Sequence, residues 1–92
     1  MQRIVIAAAA VCVIALGAAG AQAKSLGRAC TTAPETQYLS TAELKARIEA
    51  QGYTVREIEI EKACAEVYAL DKAGAKVELF LDPTNGSIVG SR

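Results

Sequence analysis

Residues 57–61, Glu57-Ile58-Glu59-Ile60-Glu61, alternate strictly between acidic and apolar side chains. A period of two is typical of a β-strand that has one face buried and the other face in water. This stretch therefore predicts the first strand of a sheet, with both isoleucines on the side that faces the core. The glutamates are expected to form a solvated row rather than a calcium or acid–base site, because nothing in the sequence buries them.

Two further strands are expected after a turn at residues 62 and 63, namely Cys64 to Leu70 and Lys76 to Leu81. Gly74 suits the short hairpin loop between them. The segment Asp82-Pro83-Thr84-Asn85-Gly86 combines a proline, whose φ is restricted, with an Asn-Gly pair that tolerates positive φ, so it predicts a second turn. A short final strand, Ser87 to Val89, should follow. Upstream, the parity of the apolar residues 53 and 55 is opposite to that of Ile58 and Ile60, which predicts a bulge near Arg56.

A helix from about Thr41 to Gln51 is expected before these strands. Ser40 and Glu43 have the spacing of a capping box, and Gly52 can end the helix in a left-handed conformation. One helix followed by an antiparallel meander makes an α+β fold, in which one helix packs on a short antiparallel β-meander of three to four strands.

The N-terminal residues 1–23 have the pattern of a cleaved signal peptide: Arg3, an apolar run, and the small-residue site Ala21-Gln22-Ala23. The run is too short for a retained spanning helix, so we expect a periplasmic or extracellular protein with no membrane anchor after cleavage. Residues 24–37 then form an irregular segment that carries Cys30, and residues 38–92 form the folded domain.

Two cysteines, Cys30 and Cys64, remain after cleavage between Ala23 and Lys24. An even number of cysteines in an oxidising compartment predicts a disulfide between them. A redox dithiol usually has a C-x-x-C spacing, and a zinc site needs about four ligands, which this histidine-free chain does not offer.

Several functional classes are disfavoured by the composition. The absence of histidine removes the commonest general base, and no glycine-rich phosphate loop is present. Without Arg3, nine Lys and Arg side chains face ten Asp and Glu side chains, which alternate in sign, so no basic field attracts nucleic acid. We therefore expect no catalytic residues, no cofactor, no metal and no nucleic-acid partner.

The sheet face opposite the helix is the expected binding surface. Tyr68 and Phe80 have the parity opposite to Val67 and Val77, so they lie together on this face if the valines face the helix. They are candidate anchors for a protein partner. The alternative is that they are ordinary surface aromatics that merely cover the sheet.

The ordered pieces Tyr38-Leu39-Ser40, Gly52-Tyr53-Thr54-Val55, Cys64 to Asp71 and Asp82-Pro83-Thr84-Asn85-Gly86 resemble a small exported PepSY domain. The resemblance spans about Tyr38 to Val89. It implies a helix packed on a short antiparallel sheet and, for the family, a proposed role in restraining or regulating peptidases in the periplasm or at the cell surface. It implies no catalytic residues.

The leading hypothesis is therefore an exported, non-catalytic PepSY-like binding module that inhibits or regulates a peptidase through a strand edge or the open sheet face. The alternative is a small structural envelope protein that self-associates through Tyr68 and Phe80. The sequence leaves the oligomeric state and the identity of the partner open.

Overall fold

The computed structural model describes residues 25–92, so the expected signal peptide lies outside the described residues. A single 3-10 turn at Glu35–Gln37 precedes the helix α1, and an antiparallel sheet follows. Within the described part, the elements are α1 (Thr41–Glu49), β1 (Thr54–Glu61), β2 (Cys64–Leu70), β3 (Lys76–Leu81) and β4 (Ile88–Ser91). The strand order is β1-β2-β3-β4, which confirms the α+β meander.

The helix α1 begins with the expected capping box. The amide of Glu43 donates to Ser40 Oγ at 3.1 Å, and the amide of Ser40 donates to Glu43 Oε1 at 3.1 Å. The helix ends at Glu49, earlier than expected, because the amides of Gln51 and Gly52 bond to carbonyls three residues back rather than four. Gly52 has a φ of 103°, so the left-handed stop is confirmed.

One face of the sheet packs under α1. The fully buried Leu44 and Ile48 of the helix meet one set of alternating side chains of β2 and β3. These sheet residues are Ala65, Val67, Ala69, Leu79 and Leu81. The register shift between Val55 and Glu57 confirms the bulge at Arg56, which brings Val55 and Ile58 to the same core.

Ile60 does not join this core, contrary to its expected burial. Its side chain is 40 % exposed, and the core residues of β1 are Val55 and Ile58. The helix has only two buried side chains, Leu44 and Ile48, so it covers a limited length of β1.

The turn after β3 holds the sheet to the helix. Asp82 Oδ1 accepts hydrogen bonds from the amide and the hydroxyl of Thr84, and the carbonyl of the buried Pro83 accepts from the amide of Leu39 at 2.8 Å. Strand β4 runs from Ile88 to Ser91, later than expected, because a bulge shifts the register between Phe80 and Leu81.

The turn between β1 and β2 contains two non-glycine residues with positive φ, Lys62 at 53° and Ala63 at 62°. Two consecutive left-handed residues are the geometry of a tight type I′ hairpin, which normally uses Asn-Gly. Each L-residue with a Cβ costs about 1–2 kcal/mol in this conformation. The hairpin is therefore held in place by its surroundings rather than by its own sequence.

We expect the double variant K62N/A63G to be more stable than the wild type by roughly 1–2 kcal/mol, because it removes this conformational cost. Urea unfolding of the oxidised protein measures the difference. Ala73→Gly is the matched control: residue 73 is not among the positive-φ positions, so the same change there should destabilise the fold. Equal effects of glycine at both positions would contradict the assignment of strain to residues 62 and 63.

Among the described residues, no helix has the length and apolar character that crossing a membrane requires.

Candidate functional site

The sheet face opposite α1, here called the glutamate face, carries most of the chain's acidic strand residues. Tyr68 and Phe80 lie on it, as their parity predicted, because their strand neighbours Val67, Leu79 and Leu81 pack under the helix. The face is formed by Glu57, Glu59 and Glu61 of β1, Cys64, Glu66 and Tyr68 of β2, and Glu78 and Phe80 of β3.

Phe80 is buried, so the expectation that it is an exposed docking residue is wrong. Only 1 % of its surface is exposed. It forms a second small core with Cys30 and Cys64, against which Leu26 and Val89 pack. The structure also contains the Cys30–Cys64 disulfide, with an S–S distance of 2.07 Å. The glutamate face is thus closed over Phe80 by the segment before the 3-10 turn.

This covering segment, residues 25–30, is fastened to the sheet at several points. The amide of Cys30 donates to the carbonyl of Ala63 at 3.2 Å, and Arg28 Nη2 donates to the carbonyl of Val89 at 3.2 Å. Arg92 Nη2 donates to the carbonyl of Ser25. A Cβ at Gly90 would lie 2.7 Å from Leu26 Cδ1, so a larger residue there would require the Leu26 side chain to move.

The sequence contains a signal for this cover. Cys64 has the same parity as Tyr68 on β2, so it must lie on the face opposite the helix. A disulfide from Cys64 to Cys30 therefore brings the N-terminal segment onto that face, close to the row that contains Phe80.

Tyr68 lies in the uncovered part of the glutamate face. It lines an open groove of about 580 Å³ together with residues of the bulge, of β3 and of the C-terminal end. The charged residues of the groove are Arg56, Lys76, Glu78 and Arg92. Arg92 also contacts the buried aromatic: its Cζ lies 5.2 Å from the centre of the Phe80 ring. The groove thus combines a half-buried phenol with side chains of both charges.

Glu78 is the acidic residue that lines this groove, and it is buried. Its residue is 7 % exposed, Arg92 Nε lies 3.8 Å from Glu78 Oε1, and Glu78 Oε2 has no hydrogen-bond partner among the described residues. A buried carboxylate oxygen without a donor is costly. A hydrogen-bond donor placed in the groove would satisfy this oxygen.

Burial and negative charge on the glutamate face raise the pKa of three of its residues. Burial, followed by the charges of Glu78 and Glu66, raises the pKa of Tyr68 to about 12, so the phenol keeps its proton and acts as a hydrogen-bond donor at neutral pH. Burial, followed by the charges of Glu61 and Glu78, raises the pKa of Glu66. A hydrogen bond with Glu57 and its charge raise the pKa of Glu59.

Of the two sequence-predicted surface residues, the groove contains Tyr68 and does not contain Phe80. Sequence reasoning missed Glu66, Glu78 and Arg92. The alternation of β2 and β3 was the available signal for both glutamates, since they have the parity of Tyr68 and Phe80. Arg92 carried no comparable pattern. This arrangement is suited to binding rather than to catalysis. A hydrogen-bond donor, a carboxylate and cationic side chains surround an open groove.

The chain was also compared with models of protein families. The model described as "Peptidase propeptide and YPEB domain" matches residues 4–92, nearly the whole chain. The searches of curated proteins and of solved structures gave no significant match.

Proposed function

Because the chain belongs to the peptidase propeptide and YPEB domain family, the PepSY family, we propose that it is an exported, non-catalytic binding module that regulates a peptidase. The family consists of propeptide-like regulatory or binding modules, and PepSY domains occur in exported proteins. Export in this chain would use residues 1–23 as a cleaved signal peptide, which leaves the domain in the periplasm or outside the cell.

The observation that carries the proposal is the groove around Tyr68. It lies in a part of the glutamate face that residues 25–30 leave uncovered, and it holds a half-buried aromatic ring and Glu78 Oε2, which has no hydrogen-bond partner within residues 25–92. Aromatic anchors beside desolvated polar groups are typical of the residues that dominate binding energy in protein interfaces. We propose that a surface segment of the peptidase lies in this groove and donates a hydrogen bond to Glu78.

The free edge of β1 is a weaker candidate for the contact. Strand β1 pairs only with β2 within the described sheet, so its outer backbone groups are available for strand addition. Three exposed glutamates, Glu57, Glu59 and Glu61, follow this edge, and charged side chains on an edge oppose the pairing of another strand. The groove carries no such row.

Self-association through Tyr68 and Phe80 is disfavoured, because Phe80 is covered by residues 25–30 and is not available for contact with a second copy. A face-to-face pair of copies would also bring two rows of glutamates together, and like charges at short distance oppose association.

We expect Tyr68→Ala to weaken binding of the partner peptidase at least about fivefold, which corresponds to a loss of about 1 kcal/mol or more. The mature protein is immobilised, exposed to an envelope fraction of its source cells, and the bound peptidases are quantified with active-site labels. Added in solution, the mature protein should lower the hydrolytic activity of that fraction, and the Tyr68→Ala protein should lower it less.

Tyr38→Ala is the matched control, since Tyr38 is also half-buried but precedes α1 and does not line the groove. Equal capture by the wild type and the Tyr68→Ala variant would exclude the groove as the contact. The absence of any labelled peptidase among the captured proteins, with no change in hydrolysis, would overturn the proposed function itself.

A further inference from the structure

Three carboxylates converge at the end of the glutamate face that adjoins the β1–β2 turn. Single carboxylate oxygens of Glu59, Glu61 and Glu66 all lie within 4.8 Å of one another. Glu59 is paired directly with Glu66 across the two strands, and Glu61 follows on the same face of β1. Sequence alternation alone predicts a solvated row on β1, whereas the third carboxylate comes from the neighbouring strand.

Glu66 differs from the other two because it is buried. Its residue is 2 % exposed, while Glu59 and Glu61 are exposed. No hydrogen bond or ion pair within residues 25–92 ends at the Glu66 carboxylate, although one of its oxygens is directed to the other two carboxylates. Buried charges are normally paired or bound to a metal ion. A cation or a proton at this carboxylate would offset its negative charge.

The surroundings of the cluster leave space for a bound ion. A groove of about 360 Å³ lies beside the cluster, lined by Glu61, Glu66, Lys62 and residues 25–29. It leaves room for an ion that keeps several water ligands.

We propose that Glu59, Glu61 and Glu66 bind a calcium-type divalent cation. Calcium takes oxygen ligands at about 2.3–2.6 Å, so two ligand oxygens on opposite sides of the ion are about 5 Å apart. The separations within the cluster, at most 4.8 Å, fit that sphere without a change of backbone. The ligand set consists of flexible carboxylates alone, which suits calcium better than the softer metals that prefer imidazole or thiolate.

The cation would link β1 and β2 next to the turn that holds residues 25–30. It would stabilise the face through electrostatics and would not take part in contacts with the groove around Tyr68, since none of its three ligands lines that groove. The proposal is therefore independent of the peptidase partner.

The test uses the oxidised mature protein after treatment with a chelator, titrated with calcium chloride by calorimetry and by thermal unfolding. We expect binding of one ion with a Kd of roughly 0.1–1 mM, as in extracellular calcium modules, and a rise of the thermal midpoint by at least about 5 °C at 10 mM calcium. Sodium chloride at the same ionic strength should give a smaller rise, because screening relieves the repulsion without occupying the site.

Glu66→Gln should abolish calcium binding and raise the midpoint of the metal-free protein, because it removes the buried charge. Glu59→Gln serves as a second variant if the first does not fold. Glu49→Gln, an exposed acid on α1 outside the cluster, should bind calcium like the wild type. The proposal fails if calcium stabilises the wild type no more than sodium chloride does, or if Glu66→Gln and Glu59→Gln retain the wild-type Kd.

Discussion

Removal of the Cys30–Cys64 disulfide is expected to lower the thermal midpoint by roughly 12–32 °C. The two cysteines are 34 residues apart in the chain, and closing a loop of that length stabilises a fold by about 3–4 kcal/mol in the chain-entropy model. For a domain of this size, each kcal/mol changes the midpoint by about 4–8 °C. The effect is large here because the disulfide also holds residues 25–30 over Phe80.

The experiment compares the oxidised mature protein, the same protein under reducing conditions and the double variant C30A/C64A. Reduction should lower the midpoint of the wild type and leave that of the double variant unchanged, which separates the disulfide from other effects of the reductant. Far-ultraviolet circular dichroism should still show the helix at low temperature, since the capping box and Gly52 act locally. Two titratable thiols in protein made under oxidising conditions would disprove the pairing.

Phe80→Ala is expected to destabilise the domain by about 3–5 kcal/mol, the usual cost of removing a buried phenylalanine side chain. The ring is 1 % exposed and lies between the disulfide, Leu26 and Val89, so its removal leaves a cavity that this short segment cannot fill. The variant therefore tests the burial of Phe80 rather than binding to a partner.

Urea unfolding of the Phe80→Ala, Phe80→Leu and Tyr68→Ala proteins gives the comparison. Phe80→Leu should cost much less than Phe80→Ala, because leucine fills most of the volume, and Tyr68→Ala should also cost less because Tyr68 is half-buried. Combining Phe80→Ala with reduction should be less than additive, since both changes loosen the same cover. A cost below about 1 kcal/mol for Phe80→Ala would mean that the segment does not pack on the ring in solution.

The candidate site was predictable where it depends on strand alternation. Tyr68 lies on the face opposite the helix because Val67 packs under α1 and successive side chains of a strand point to opposite faces of the sheet. Glu66 and Glu78 follow by the same parity. Alternation shows which face a side chain lies on, but it does not show how deeply that side chain is buried. The burial of Phe80 depends on a segment that is distant in sequence.

By itself the sequence determined the elements whose causes are local: the capping box at Ser40, the stop at Gly52, the bulge at Arg56 and the turn that begins at Asp82. Only the tertiary structure decided which half of the glutamate face stays open. That outcome depends on residues 25–30, which have no periodic pattern and are held by contacts with Ala63, Val89 and Phe80. The pairing of Cys30 with Cys64 was predictable from the sequence, but the packing of residues 25–30 on Val89 and Phe80 is long-range, and local sequence propensity carries no information about it.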